Sequence, residues 1–224
     1  VHPTLDNGKL WDDTKWQPFV EQTENLCKAF SNNKSRDNKN RAYFKQRTDK
    51  RGFLRISGAN SSSSLSMISI RRMVKDDLAK WENNEAGDPD AQANSRMGAW
   101  EFDAKCLNIS TPLIKDVCRI SKKYDQSDKR KRMVPCPTCG HWHSLEWENL
   151  KHSIRPDMDP NEVHFTCPAN GCVIEQRHRA DMLAQGRWEA TQTDRPRPPG
   201  YHLWQAYSNL RSWASIADGW ITAK

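Results

Sequence analysis

Ile70-Arg71-Arg72-Met73-Val74-Lys75-Asp76-Asp77 is the stretch on which the fold turns. Ile70 through Lys75 reads as a β-strand that delivers two carboxylates at its carboxyl end. Downstream, Asp88 and Pro89 read as a helix cap and first turn, leading into Ala91, Ser95 and Ala99. Leu107-Asn108-Ile109 is a second short strand, closed by Ser110-Thr111-Pro112. Ile114, Val117, Ile120 and Tyr124 then share one face at helical spacing. Strand, helix, strand, helix predicts an α/β fold with a parallel sheet. Ligands in such open sheets bind at the carboxyl ends of strands, where Asp76 and Asp77 fall. Arg71, Arg72 and Lys75 make the first strand less apolar than a central parallel strand should be.

Upstream, Asn7 to Phe30 carries Leu10, Phe19, Val20, Leu26, Cys27 and Phe30 and is interrupted by Pro18, which predicts two successive helices. Ser31 to Arg51 reads as a polar, basic loop, Gly52 to Ile56 as a strand, and Ser61 to Ser64 as a polar loop. The opening Val1-His2-Pro3-Thr4 looks like the end of a strand already under way, so the chain is expected to be a piece of something longer.

Farther along, Cys136-Pro137-Thr138-Cys139 and Cys167-Pro168-Ala169-Asn170-Gly171-Cys172 form two short brackets. Each is a tight turn offering two sulfurs, and together they suit one tetrahedral Zn²⁺ with four thiolate ligands at about 2.3 Å. The competing reading is a pair of disulfides, against which stand the odd number of cysteines, seven, and the lack of a signal peptide. His141, His143, Leu145 and Trp147 alternate with Trp142, Ser144 and Glu146 as a strand leaving the first bracket, so both histidines are expected on that strand rather than on the ion. Val163 and Phe165 alternate into the second bracket, completing a zinc ribbon. Four protein ligands leave no open position for water, which makes the zinc structural. Cys27, Cys106 and Cys118 are isolated and are expected to be small buried hydrophobes. A helix about Ala180 to Gln185 stops at Gly186, a stiff proline-rich connector covers Thr191 to Gly200, and Ser212 caps an amphipathic helix carrying Trp213, Ile216, Ala217, Trp220 and Ile221.

No run approaches the eighteen apolar residues that a membrane span needs, so no membrane partner is expected. The net charge of +7 is concentrated in Lys45 to Arg55 and Lys122 to Arg132 and suits a polyanion such as nucleic acid. An acidic pair after a strand can position Mg²⁺ and polarise the water that attacks a nucleoside triphosphate, but it can equally be a helix cap or a solvated turn. Ser110 and Thr111 can sense a phosphate or simply cap the helix at Pro112. Arg96 can reach a phosphate of a neighbouring subunit or lie on the surface.

The order of these pieces resembles the large terminase subunit of tailed bacteriophages, in its lambda-type branch. The resemblance is carried by Gly58-Ala59-Asn60-Ser61 and Leu65, the strand ending in an acidic pair, Gly87-Asp88-Pro89, Arg96 and Ser110-Thr111-Pro112. It continues through Val134-Pro135-Cys136-Pro137-Thr138-Cys139-Gly140, Leu145-Glu146-Trp147, Gly186-Arg187-Trp188, Gly200-Tyr201-His202-Leu203 and Trp213 to Lys224. It implies an α/β fold, a truncated RecA/ASCE-like parallel-sheet ATPase core with an inserted four-cysteine zinc ribbon. Residues 1–130 would hold the partial core, 131–178 the ribbon and 179–224 the closing segment of the motor domain.

The implied activity is ATP hydrolysis driving double-stranded DNA into procapsids in the cytoplasm of a bacterial host. The implied partners are DNA, the small terminase subunit, the procapsid portal and further copies of the motor. Asp76 would be the Walker B aspartate holding Mg²⁺, and Asp77 would stand where the family has its catalytic glutamate. Ser110 and Thr111 would couple hydrolysis to movement, and Cys136, Cys139, Cys167 and Cys172 would match the family's cysteine pairs. Three departures stand out. No Gly-rich phosphate loop ending in Lys-Ser or Lys-Thr is present, so it is expected upstream of Val1 or lost; Asp77 is one methylene short of glutamate; and the nuclease domain is expected after Lys224. This piece alone is then expected to be a poor ATPase. The alternatives are a zinc-ribbon nucleic-acid-binding module and an inactive prophage remnant.

Overall fold

The structure is a computed structural model that describes residues 1–30, 40–114, 116–155 and 157–223. It divides into two compact units, Val1–Lys122 and Lys123–Lys224.

In the first unit the strand Arg72–Lys75 pairs in parallel with Lys105–Asn108, Met73 facing Cys106 and Val74 facing Leu107. On its other side the Asp76 N–H donates to the Val1 carbonyl at 2.9 Å, and His2 bridges in parallel to Gly58. The predicted parallel arrangement is therefore present, whereas the opening residues, expected to continue a strand, form only the isolated bridge at His2. Burial alternates along Arg72–Lys75, with Met73 and Lys75 inside. The unwelcome lysine is accommodated by pairing: Lys75 Nζ, wholly buried, donates to Asp90 Oδ1 and Asn94 Oδ1, both at 2.5 Å, on the helix Pro89–Ser95. That helix begins as the sequence predicts, with Asp88 accepting from the Asp90 N–H and Pro89 in the first turn. Ala59, Leu65, Met73, Leu78, Trp81 and Ala93 form the apolar core of this unit.

Several expectations need correction. Pro18 does not divide the first helical stretch: Leu5–Trp11 runs through a π-helical turn, Asp12–Trp16, into Gln17–Gln22, and the wider turn, in which the Gln17 N–H reaches the Asp12 carbonyl, comes directly before the proline. The break comes at Thr23, which is extended and precedes the helix Glu24–Ala29. Of the expected loop Ser31 to Arg51, residues 31–39 lie outside the described residues, while Asn40–Arg41 and Phe44–Gln46 are strands, the latter pairing antiparallel with Phe53–Arg55. The serine run is a short helix, Ser62–Ser66, because the Ser61 hydroxyl caps it by accepting from the Ser64 N–H. The helix expected from Ile114 is confined to Arg119–Asp125, and Ile114 and Val117 are exposed. Cys27 and Cys106 are exposed and Cys118 half-buried, so none is a core residue.

In the second unit Lys131–Pro135 pairs antiparallel with both Trp142–Ser144 and Arg187–Glu189, a third strand that the sequence reading lacked. Phe165–Thr166 pairs antiparallel with Val173–Ile174. Both strand pairs, the helix Arg179–Gln185 and the helix Trp213–Thr222 contribute to one core containing Val134, Leu145, Leu150, Phe165, Ile174, Met182 and Trp213. Tryptophan supplies much of it. The Trp213 ring, wholly buried, meets Phe165 edge-on at 4.7 Å and its N–H reaches the Ala206 carbonyl, while the N–H of the half-buried Trp204 reaches that of Leu145, so each large ring has its polar atom satisfied.

In the first unit Lys45 Nζ and Asp12 Oδ2 form an ion pair of 2.8 Å that is almost wholly buried. Removing one partner leaves an uncompensated charge in a dry site. Lys45→Met is expected to lower stability by about 3–5 kcal/mol in urea unfolding, whereas Asp12→Leu combined with Lys45→Met restores most of the loss. Equal losses in the single and double variants would show that the pair is immaterial.

Candidate functional site

The acidic pair stands at the carboxyl end of Arg72–Lys75. Asp76 is held at three atoms: its N–H by the Val1 carbonyl, its C=O by the Trp81 indole N–H at 2.9 Å, and its Oδ2 by His2 Nδ1 at 3.1 Å. The carboxylate is 41% exposed, while the imidazole is 9% exposed and lies against the Trp11 ring. Burial lowers the His2 pKa below the usual imidazole range, against the pull of Asp76. Asp77 adopts a left-handed backbone, φ 49° and ψ 41°, which turns the chain sharply into Leu78–Lys80. An aspartate tolerates this better than most residues. Its Oδ2 accepts from Lys80 Nζ at 2.9 Å.

Ser110 comes to the same turn. Its Oγ accepts from the Ala79 N–H at 3.0 Å, and the Leu78 N–H donates to the Ile109 carbonyl at 3.2 Å. The end of the second parallel strand is thus stitched to the residues just after the acidic pair, with Thr111 exposed beside Ser110. Arg96 is not brought to this cluster. Along the helix Pro89–Ser95, Asp90 lies beside Lys75, whereas the Arg96 carbonyl accepts from the Ile70 N–H, so Arg96 sits at the opposite end of the strand. Its guanidinium donates to the Ser66 carbonyl and Ser95 Oγ. His2 and Trp81 are the site residues that sequence reasoning missed. Each reaches Asp76 through a single ring nitrogen, a contact with no signature in the chain, and only the reading of Val1 to Thr4 as strand hinted at the first.

In the second unit the Sγ atoms of Cys136, Cys139, Cys167 and Cys172 all lie within 4.8 Å of one another. Cys139 and Cys167 are 3.7 Å apart, close to the edge, about 3.8 Å, of a tetrahedron whose centre stands about 2.3 Å from each sulfur. That separation is far beyond a disulfide bond. The two knuckles have matching backbones: Cys136 N–H donates to the His141 carbonyl and Cys167 N–H to that of Cys172, with Gly140 and Gly171 at φ 72° and 66° closing the turns. The His141 N–H and the Asn170 amide draw the Cys139 thiol down to about 6, while burial pushes Cys172 up to about 11. One thiolate therefore forms readily, but four cannot coexist at this spacing without a cation. The cluster can hold one metal ion. His143 is instead buried on the strand Trp142–Ser144 and stacked on His141, and burial holds its pKa below the usual range.

A parallel strand pair carrying carboxylates to its rim, together with a unit clamped by four thiols, places the chain among α/β proteins with a cysteine-built accessory unit. The family model of the phage terminase large subunit gpA, ATPase domain, matches residues 1–188, and the chain belongs to that family. It is similar to the "Terminase, large subunit" of Enterobacteria phage P21, 27% identical over 207 residues that cover 77% of this chain and 30% of the relative. It is also similar to the "Terminase, large subunit" of Escherichia phage lambda, 24% identical over 249 residues that cover 99% of this chain and 38% of the relative. The chain thus spans well under half the length of these relatives. No solved structure matches it.

After metal is stripped by a chelator, alkylation at pH 7 followed by mass spectrometry is expected to label Cys139 well before Cys172, and prior metal loading to protect both. Equal labelling with and without metal would show that the four thiols do not act together.

Proposed function

We propose that the chain is the nucleotide-hydrolysing part of a phage DNA-packaging motor, a RecA/ASCE-like core in which ATP hydrolysis drives double-stranded DNA into a procapsid. The observation that carries this reading is the acidic rim: Asp76 and Asp77 leave a parallel strand at the point where Ser110 bonds the same turn. Membership of a family described by its ATPase domain supports it. Asp76 is suited to hold Mg²⁺, since its carboxylate is accessible and fixed on one oxygen; the ion when bound would neutralise charge on the β- and γ-phosphates. Asp77 orients a water against the γ-phosphorus. The new P–O bond forms as the bond to the β-phosphate oxygen breaks, giving phosphate and ADP. Ser110, tied to the acidic turn through Ala79, passes the loss of the γ-phosphate to the second strand, and Thr111 extends that contact. A phosphate contact by Arg96 would be made across subunits.

The four thiols are assigned to one structural Zn²⁺, which fastens the two knuckles. Double-stranded DNA is the partner that suits the positive charge; the small terminase subunit, the portal and other motor copies are the protein partners that family membership supports. In the segment 40–55 the antiparallel sheet places Arg41 and Arg55 on either side of Phe44, whose ring stacks on Phe53 at 5.3 Å. A runner-up reading, a nucleic-acid-binding module whose α/β part is scaffold, draws on that same sheet.

Measured in the full-length packaging protein, Asp76→Asn is expected to lower ATP turnover by about 100-fold or more, and Asp77→Glu to retain or raise it. Turnover unchanged by Asp76→Asn would overturn the hydrolase reading and leave the binding module. DNA affinity is expected to fall with added salt, with a shallower slope in the Arg41→Gln and Arg55→Gln variants. Metal analysis is expected to return about one zinc per chain.

A further inference from the structure

The contact between His2 and Asp76 joins the bridged opening segment to the residue that follows Arg72–Lys75, and it is not an incidental surface pair. The ring is buried, packed at 5.5 Å against Trp11, and its backbone is pinned to the segment Ser57–Ala59: the His2 N–H donates to the Ser57 carbonyl at 2.9 Å and the His2 carbonyl accepts from the Ala59 N–H at 2.8 Å. The imidazole presents Nδ1 to Asp76 Oδ2 at 3.1 Å. Among the described residues no hydrogen bond engages Asp76 Oδ1. One carboxylate oxygen is therefore occupied by a rigid donor and the other faces outward.

We propose that His2 is a positioning residue for the divalent cation of the nucleotide site: by donating from Nδ1 to Asp76 Oδ2 it fixes the carboxylate in the orientation that leaves Oδ1 for the ion or for its water shell. The proposal rests on the assignment of Asp76 made above. The physical basis is general. A carboxylate rotating about its side-chain torsions must be ordered when it binds an ion, whereas one already bonded at its second oxygen is ordered beforehand. The device also places the donor on a different segment from the acid. A shift of the opening segment relative to Arg72–Lys75 would loosen the site.

The test is the Mg²⁺ dependence of ATP turnover in the full-length protein, with DNA saturating. His2→Leu keeps the volume and removes the donor; His2→Asn puts an amide N–H near the place of Nδ1; His2→Gln carries its amide one carbon farther, near the place of Nε2. The leucine and glutamine variants are expected to raise the Mg²⁺ concentration for half-maximal turnover by about 10-fold or more, while asparagine returns it to within about threefold of the parent. A purely structural role for His2 would lower the melting temperature of the variants while leaving the Mg²⁺ requirement in place, and would not separate Asn from Gln. Unchanged Mg²⁺ requirements in the folded leucine or glutamine variant would overturn the proposal. If Leu does not fold, the comparison of Asn with Gln decides it alone. Asp76→Asn, run in parallel, separates the two levels: if that variant turns over ATP normally, the assignment of Asp76 itself has failed.

Discussion

The ammonium of Lys75 is buried between Asp90 and Asn94, and the acidic rim depends on that arrangement. Strand side chains alternate, so placing Lys75 inward fixes the register of Arg72–Lys75 on the helix Pro89–Ser95 and determines where the strand ends. The next residue is Asp76, released at the rim where Val1, His2 and Trp81 take hold of it. A buried lysine is costly unless it is paired and hydrogen-bonded, which makes a slipped register unfavourable. The polar residue that weakens the strand by pattern is thus the one that specifies it.

The same constraint runs through the whole chain. Hydrophobic residues make up 36% of the sequence, so buried space is filled in part by polar groups that must find partners. Lys45 meets Asp12, and Asp128 receives the Gly200 N–H and Arg130. Tyr207 donates to the Arg132 carbonyl and accepts from the Leu145 N–H. The four thiols follow this logic with a different partner. Sulfurs at tetrahedral spacing resist joint ionisation until a cation is among them, so the fold of the second unit and its metal chemistry are linked.

Much of the site could be read from the chain because the signals were local. Bracketed cysteines announce a knuckle, since each turn fixes its own two sulfurs, and Asp88 and Ser212 announce helix starts, since a cap acts over three residues. The acidic pair after a strand was legible for the same reason. One local signal was misread all the same: Ser61 caps a helix over three residues, but the serine run looked like a polar loop. Less visible were features set by a partner distant in sequence. Ile114 and Val117 have helical spacing, yet helix forms only from Arg119, whose guanidinium is anchored on the Trp81 carbonyl, Asn83 and Asp88. The third strand, Arg187–Glu189, is too short to show a period and exists through its pairing with Lys131–Met133.

The sequence by itself determined the parallel strand pair, the helix capped by Asp88, the two thiol brackets and the presence of two carboxylates at a strand end. Tertiary structure alone decided which oxygen of Asp76 is held, that Ser110 bonds the acidic turn while Arg96 lies at the far end, and that Lys75 is an interior residue. The physical reason is range. Caps, turns and alternation are settled within a few residues, whereas the contact between His2 and Asp76 spans most of the first unit and exists only once the fold has brought its two ends side by side.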